Sequence, residues 1–309
     1  MEIVVFGAGA LGSLVGGLLA REHQVTLVAR DPHARRVAGR GLRVVGELDA
    51  RTRPRATTDP TPEDLSADLA LVTVKAYDTA GAAAALAAGD PDLVCSLSNG
   101  LTEGTLAAEL GDRVLAGSAT YGAELVGPGE VRCTGVGRIR VGEFAEDRLD
   151  SDGGDAASDR AERVAAAFRD AGLDCTADPE MPRRRWEKLA VNAGINAVTA
   201  LARVPNGALA DGPAAGVARS AARETARVAR AEGIDLPNDD AVDAVETVVA
   251  ETAANRSSML QDVTDGDRTE VEFINGAVVE RAEDHGTDVP TNRVLTGLLR
   301  AWEAERVGE

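Results

Sequence analysis

The chain has 309 residues, with 33 Lys and Arg against 51 Asp and Glu, a formal net charge of −18. That acidic balance argues against a nucleic-acid partner, because phosphate binding needs a basic face. At roughly 100–200 residues per domain the length points to two domains, and a hydrophobic content of 44% is ample for a folded chain.

Glu2 to Phe6 forms an apolar run of β type, after which Gly7-Ala8-Gly9-Ala10-Leu11-Gly12 opens an Ala/Leu/Gly-rich helix reaching about Arg21. Val25–Ala29 reads as a second parallel strand, completing a βαβ unit. The stretch from Val4 to Ala20 is apolar but broken by glycines and Ser13, so it fits neither a transmembrane helix nor a cleavable signal. Further apolar runs at Leu69–Val74, Leu93–Leu97 and Val114–Ala119 alternate with helical or turn segments, the pattern of a doubly wound sheet. Glu146–Asp159 is rich in Asp, Gly and Ser and predicts an exposed acidic loop. A helix over Arg163–Ala171 and a strand over Leu173–Thr176 follow.

From Pro182 onward helical periodicity dominates, over Trp186–Leu201, Ala208–Glu232, Ala241–Thr252, Ser257–Val263, Val271–His285 and Asn292–Val307. The expected fold class is therefore α/β: a Rossmann-type doubly wound parallel-sheet domain at 1–178, followed by an all-helical domain at 179–309. The boundary is placed within Ala177–Pro182, where prolines interrupt the pattern. A cleft between two such domains is the usual place for a substrate.

Cys95, Cys133 and Cys175 are isolated, odd in number and without a CxxC or a nearby His, which argues against a disulfide framework or a zinc site and for three buried small hydrophobes. His23, His33 and His285 each sit beside charged or turn-forming residues, so a dehydrogenase built around a catalytic His is not expected. Only Lys75 and Lys188 are lysines among the basic residues. The spread of acidic charge suits a high-salt cytoplasm, while a high-GC genome would also favour Arg codons. Either way, two lysines kept where Arg is preferred are candidates for chemistry Arg cannot do, since a partly desolvated Lys can give up its proton.

The GxGxxG at Gly7, Gly9 and Gly12 lies between a strand and a helix, the context dinucleotide binding requires. Gly7 allows the tight turn, Gly9 the close approach of the pyrophosphate and Gly12 the helix–strand packing, while the helix N-terminus faces the anion. At the end of the second strand, where an acid would bond the NAD ribose, the residue is Arg30. With Arg35 and Arg36 nearby it can clamp a 2′-phosphate, which favours NADPH (NADP+) as cofactor. The adjacent Asp31 speaks against that choice, and the alternative role for Arg30 is a solvated strand end.

In the segment Trp186–Asn196, Lys188, Asn192 and Asn196 recur at i, i+4 and i+8. At about 100° per residue they fall within one narrow polar stripe of an otherwise apolar helix. Burying an ammonium and two amides is costly unless partners meet them, and an oxygen-rich ligand would do so. A merely solvated stripe would more naturally use Glu, Asp or Arg. Asn206 is a candidate ligand residue, with helix N-cap or turn residue as its plain role; Ser257 and Ser258 are candidate caps for the helix that follows. Glu270 has a dipole-favoured first-turn position as its plain alternative.

Together GAGALG, VTVKAYDT with Lys75, SNG with Asn99, WEKLAVNAGINAVTAL, VPNG, SSMLQD and TEVEFING resemble the ketopantoate reductases (2-dehydropantoate 2-reductases), over nearly the whole chain. The resemblance implies NADPH-dependent reduction of 2-dehydropantoate to (R)-pantoate, on the way to pantothenate and coenzyme A. It implies cofactor contacts from the loop Gly7, Ala8, Gly9, Ala10, Leu11 and Gly12. Lys188 would be the general acid at the ketone oxygen, and Glu270 would bond that oxygen as it becomes a hydroxyl. Asn192, Asn196 and Asn206 would hold the substrate and Ser258 its carboxylate, with Lys75 and Asn99 bordering nicotinamide and substrate.

Two other readings compete: a β-hydroxyacid or other 2-oxoacid dehydrogenase, which also uses Lys-x-x-x-Asn, and a non-catalytic NADP-binding sensor. The Ser258 and Glu270 segments favour the ketopantoate reductases over the first. A sensor needs no proton donor, and Lys188 with Glu270 supplies one. The expected partner is a small-molecule 2-oxoacid, with neither nucleic acid, membrane nor metal, in the cytoplasm; a homodimer is left open as the assembly.

Overall fold

The computed structural model describes residues 1–144 and 157–306. The acidic loop expected at Glu146–Asp159 falls outside the described residues up to 156, and Asp159 already begins a helix. In chain order the first elements are β1 (Glu2–Phe6), α1 (Ala10–Leu19), β2 (Gln24–Val28), α2 (His33–Arg40), β3 (Leu42–Gly46), β4 (Ala50–Thr52), β5 (Arg55–Thr57), α3 (Pro62–Leu65) and β6 (Leu69–Val72). Next come α4 (Thr79–Gly89), β7 (Leu93–Ser96), α5 (Glu103–Leu110), β8 (Val114–Ala119), β9 (Gly122–Gly127), β10 (Glu130–Gly135), β11 (Ile139–Glu143), α6 (Asp159–Asp170) and β12 (Cys175–Ala177). The remainder is helical: α7 (Met181–Ala202), α8 (Pro213–Ala231), α9 (Asn238–Glu251), α10 (Ser258–Asp265), α11 (Asn275–Asp284) and α12 (Pro290–Arg306).

An eight-stranded sheet has the order β12-β11-β8-β7-β6-β1-β2-β5, parallel throughout except where β11 runs against β8. Its central strands are continuous apolar runs because both faces are covered. Ile3 and Val5 of β1 and Leu69 and Leu71 of β6 enter one cluster with α1 and α6 residues such as Leu14 and Phe168. Val4, Ala70 and Val72 enter the other, with Leu86 of α4 and Leu106 of α5. Full burial of each such Val, Leu or Phe contributes about 1.5–3 kcal/mol.

The sequence reading did not anticipate a second, four-stranded sheet, β4-β3-β10-β9. It covers the side of α1 away from the main sheet, and two adjacent glycines make the sandwich possible. A Cβ at Gly16 would sit 2.6 Å from Leu27 Cδ2 of the main sheet; one at Gly17 would sit 2.8 Å from Leu42 Cδ2 of the small one. Every residue from Gly12 to Leu19 is consequently buried, which explains a helix apolar on all sides.

The chain divides into two units, Met1–Ser98 with Thr102–Pro182, and Asn99–Leu101 with Arg183–Glu309. The second unit is helical among the described residues and has its own core, including Trp186, Leu189, Ile195, Val228, Met259 and Leu299, to which Leu101 adds itself. No described helix is long and apolar enough to cross a membrane.

Candidate active site

In the first unit, β1 has β2 on one side and β6 on the other. The chain leaves β1 toward β2 and β5 and returns to β6, so the topological switch point, where ligands bind in open α/β sheets, lies at the carboxyl ends of β1 and β6. Both ends carry residues singled out above. The glycine loop follows β1, and half-buried Lys75 follows β6 as the residue leading into a 3₁₀ turn, Ala76–Asp78.

The three glycines do three different things. Gly7 has φ of +102°, and a Cβ there would lie 2.7 Å from Val74 N, so only glycine fits. A Cβ at Gly12 would lie 2.4 Å from Thr73 Oγ1 and 2.6 Å from the Gly7 carbonyl oxygen, which is close helix–strand packing. At Gly9 it would meet only the Gly7 carbonyl, at 4.0 Å, so the space before Gly9 is open. Gly9 caps α1 with no side-chain bond, and the first turn holds no acid. An uncapped, positively polarised helix end beside an open glycine fits a pyrophosphate.

The loop is itself anchored. Gly7 N–H and Ala8 N–H donate to the Val28 carbonyl at 3.1 and 2.8 Å, and Thr73 Oγ1 donates to the Gly7 carbonyl at 2.9 Å. His33, beside the charged and turn-forming residues of its segment, is 6% exposed. Its Nδ1 accepts from Gly129 N–H at 3.1 Å, so Nε2 carries the proton toward Ser13 Oγ at 3.0 Å, and Ser13 donates to the Ala8 carbonyl at 3.0 Å. Burial lowers the His33 pKa, and the Gly129 donor likewise favours the neutral ring. Arg30 is exposed two residues beyond β2, whose end holds the loop. The neighbouring Asp31 carboxylate is occupied by Arg35, at 2.7 Å.

In the second unit, α7 carries Lys188, Asn192 and Asn196 one turn apart. Leu189, Ala190, Ala193 and Ala197 between them are buried, while Lys188 and Asn192 are half-buried and Asn196 is 6% exposed. Asn192 Nδ2 is buried with no hydrogen-bond partner. Such an orphaned donor costs about 1–3 kcal/mol, a cost that a bound acceptor removes.

Glu270 is 3% exposed and leads into the 3₁₀ turn Val271–Phe273. Its Oε2 accepts from Asn99 Nδ2 at 3.1 Å, so the structure brings together two residues that are far apart in sequence. Gly100 makes that approach possible: φ is +81°, and a Cβ would lie 2.4 Å from the Phe273 carbonyl oxygen. Thr269, before Glu270, is tied by its N–H and hydroxyl to Glu303 Oε1 of α12 at 2.7 and 2.6 Å. Asn206 does not cap α8, whose N-cap is Gly212. It starts a 3₁₀ turn, its Nδ2 donates to Thr252 Oγ1 at 2.9 Å, and its Oδ1 is buried without a partner. Ser257 is the cap of α10, accepting from Leu260 N–H at 3.1 Å, while Ser258 is the exposed first helical residue.

Sequence reasoning missed Thr73, Ser13 with His33, Thr199 and Glu303. Of these only Thr199 left a signal, lying on the next turn of the Lys188–Asn196 helix. The three thiols are buried, as expected, and burial pushes Cys175 up to about 12, far from a thiolate at neutral pH. Among the described residues, no cluster of three or more His, Cys, Asp or Glu could hold a metal ion.

Sheet order and glycine loop define a Rossmann-type dinucleotide-binding fold joined to a helical unit. Family models described as ketopantoate reductase PanE/ApbA and its C-terminal part match residues 3–146 and 180–303. A 2-dehydropantoate 2-reductase of Halobacterium salinarum is 45% identical over 97% of this chain and 98% of its own. One from Archaeoglobus fulgidus is 43% identical over 98% of each. The crystal structure of a PanE/ApbA family ketopantoate reductase from Ralstonia eutropha superposes with a TM-score of 0.87 at 34% identity, covering 99% of both chains. The chain belongs to the ketopantoate reductase family, and with it to the oxidoreductases. Its acidic composition is in keeping with the relative from the halophile Halobacterium.

Proposed function

We propose that this protein reduces 2-dehydropantoate to (R)-pantoate with NADPH, in the cytoplasmic route to pantothenate and coenzyme A. The observation that carries the reading is the Lys188–Asn192–Asn196 stripe with its buried, unpartnered Asn192 amide, together with relatives bearing that activity's name. The nicotinamide, when bound, supplies hydride to the 2-oxo carbon. The pyrophosphate belongs at Gly7–Gly12, and Arg30 selects a 2′-phosphate, Asp31 being neutralised by Arg35.

As hydride arrives, negative charge grows on the ketone oxygen and must be met by a proton. Lys188 gives that proton from its ammonium, acting as general acid. The Glu270 carboxylate, oriented by Asn99, accepts the hydrogen bond of the new hydroxyl. Asn192 donates its free amide hydrogens to substrate oxygens, Asn196 and Asn206 add polar contacts, and Ser258 takes the carboxylate. Lys75 and Asn99 flank nicotinamide and substrate. A second copy of the chain as homodimer partner belongs to the same reading.

Initial rates of NADPH and NADH oxidation with 2-dehydropantoate, beside 2-oxoisovalerate, in low and molar KCl test it. Preferred turnover of 2-dehydropantoate with NADPH is expected. Faster turnover of another 2-oxoacid would overturn the substrate, faster oxidation of NADH the cofactor, and tight NADPH binding with no turnover would indicate a sensor.

A further inference from the structure

Thr199 lies on α7, one turn beyond Asn196, and is fully buried; Ser257 is 6% exposed. Their hydroxyls are 2.7 Å apart. Ser257 Oγ accepts from Leu260 N–H; because the Thr199 hydroxyl also faces two carbonyls, which can only accept, the Ser257 proton is assigned to Thr199 Oγ1. Thr199 accepts there and turns its own proton onto the Ile195 carbonyl at 2.8 Å and the Asn196 carbonyl at 3.1 Å. Both hydroxyls are buried, where each hydrogen bond they make counts for more than it would in water. This hydrogen-bond chain ends at two points that matter: the first turn of α10, which opens with Ser258, and the turn of α7 that bears Asn196. A Thr in mid-helix bonding back to its own preceding turn is neutral or slightly unfavourable for the helix, so the hydroxyl's contribution lies in the bond it receives from Ser257.

We infer that Thr199 is a positioning residue that holds Ser258 on α10 in register with Asn196 on α7, and so sets the distance between two contacts to the substrate. The inference rests on the roles given to Asn196 and Ser258 under the proposed function. It is not a catalytic residue: its hydroxyl is consumed within the protein.

The full-length wild type, Thr199→Val and Thr199→Ser are compared by steady-state kinetics with 2-dehydropantoate and NADPH, and by amide hydrogen exchange at Leu260 and Gln261. Thr199→Val is expected to raise KM for the 2-oxoacid about tenfold, to lower kcat by less, to leave KM for NADPH within about twofold, and to speed exchange at Leu260. Thr199→Ser, which keeps the hydroxyl, is expected to restore all of these. Unchanged exchange at Leu260 in Thr199→Val would overturn the tie itself. Faster exchange with an unchanged KM for the 2-oxoacid, or equal rises in both KM values, would overturn the positioning role. Should Thr199→Val not fold, Thr199→Ala, which removes the same hydroxyl and leaves the Ser257 cap on Leu260 in place, is read by the same criteria. A wild type inactive on 2-dehydropantoate refutes the proposed function and the substrate role with it, while exchange at Leu260 still decides the tie.

Discussion

The glycine loop of the first unit and the α7 stripe of the second serve one candidate reaction by opposite means. The loop offers backbone: open space at Gly9, a forbidden Cβ at Gly7 and at Gly12, and an uncapped helix end. The stripe offers side chains whose value depends on a ligand, above all the Asn192 amide buried without a partner. A backbone site is set by sterics before any ligand arrives, whereas a side-chain site stays incomplete until one does. The first should therefore fail on adding atoms and the second on removing them.

The largest effect expected from this contrast is at Lys188. Lys188→Ala should lower kcat by about 10²–10⁴, the scale of a missing general acid, with NADPH affinity unchanged by fluorescence titration; undiminished turnover removes Lys188 from the mechanism. Gly7→Ala reverses the pattern. Strain of about 1–3 kcal/mol at a positive φ, added to the clash with Val74 N, should weaken NADPH roughly tenfold or more and lower Tm. Wild-type affinity in that variant would mean the loop does not hold the cofactor.

Arg30→Asp probes the edge of the same site. Losing a charge-assisted bond worth about 1.5–3 kcal/mol should shift the NADPH/NADH ratio of kcat/KM at least tenfold toward NADH, and an unchanged ratio would place the 2′-phosphate elsewhere. The smallest effect concerns His33, which props the loop from behind. Because burial depresses its folded pKa below 6.5, the unfolded chain takes up a proton that the folded one refuses. Its contribution is complete above that pH and is lost as pH falls below it, by at most about 1.4 kcal/mol per pH unit. Urea midpoints between pH 7.5 and 5 should accordingly fall more steeply for wild type than for His33→Gln, and parallel curves would contradict it.

Much of this was legible in the residues. Val114–Ala119 is the strand it was read to be, while the runs at Leu69–Val74 and Leu93–Leu97 were read past their ends. There the apolar pattern continues after the ladder stops, and Thr73 and Val74 turn out to be the floor under the glycine loop. The small sheet was missed because β4 is only three residues long, and the exposed faces of β3 and β10 carry arginines. The long helix expected over Ala208–Glu232 begins only at Pro213, after Gly212 at φ +82°. The helix expected over Val271–His285 breaks at Ile274, a position with no Gly or Pro to announce it. The Lys188 stripe was readable because periodicity is local. The bonds from Asn99 to Glu270 and from Asn206 to Thr252 join distant segments, and no local pattern encodes them.

The enclosure of α1 between two sheets also bears on how the molecule forms. β3 and β10 pair in parallel, joining Arg43 to Glu130 across 87 residues of chain. Closing so long a loop costs entropy before any contact repays it, so the outer wall of α1 is expected to assemble late. His33 reaches the same late wall through Gly129, on one side, and Ala8 through Ser13 on the other. Refolding followed by NADPH fluorescence should therefore lag the recovery of helical signal, with cofactor binding reporting the last stage of folding in the first unit.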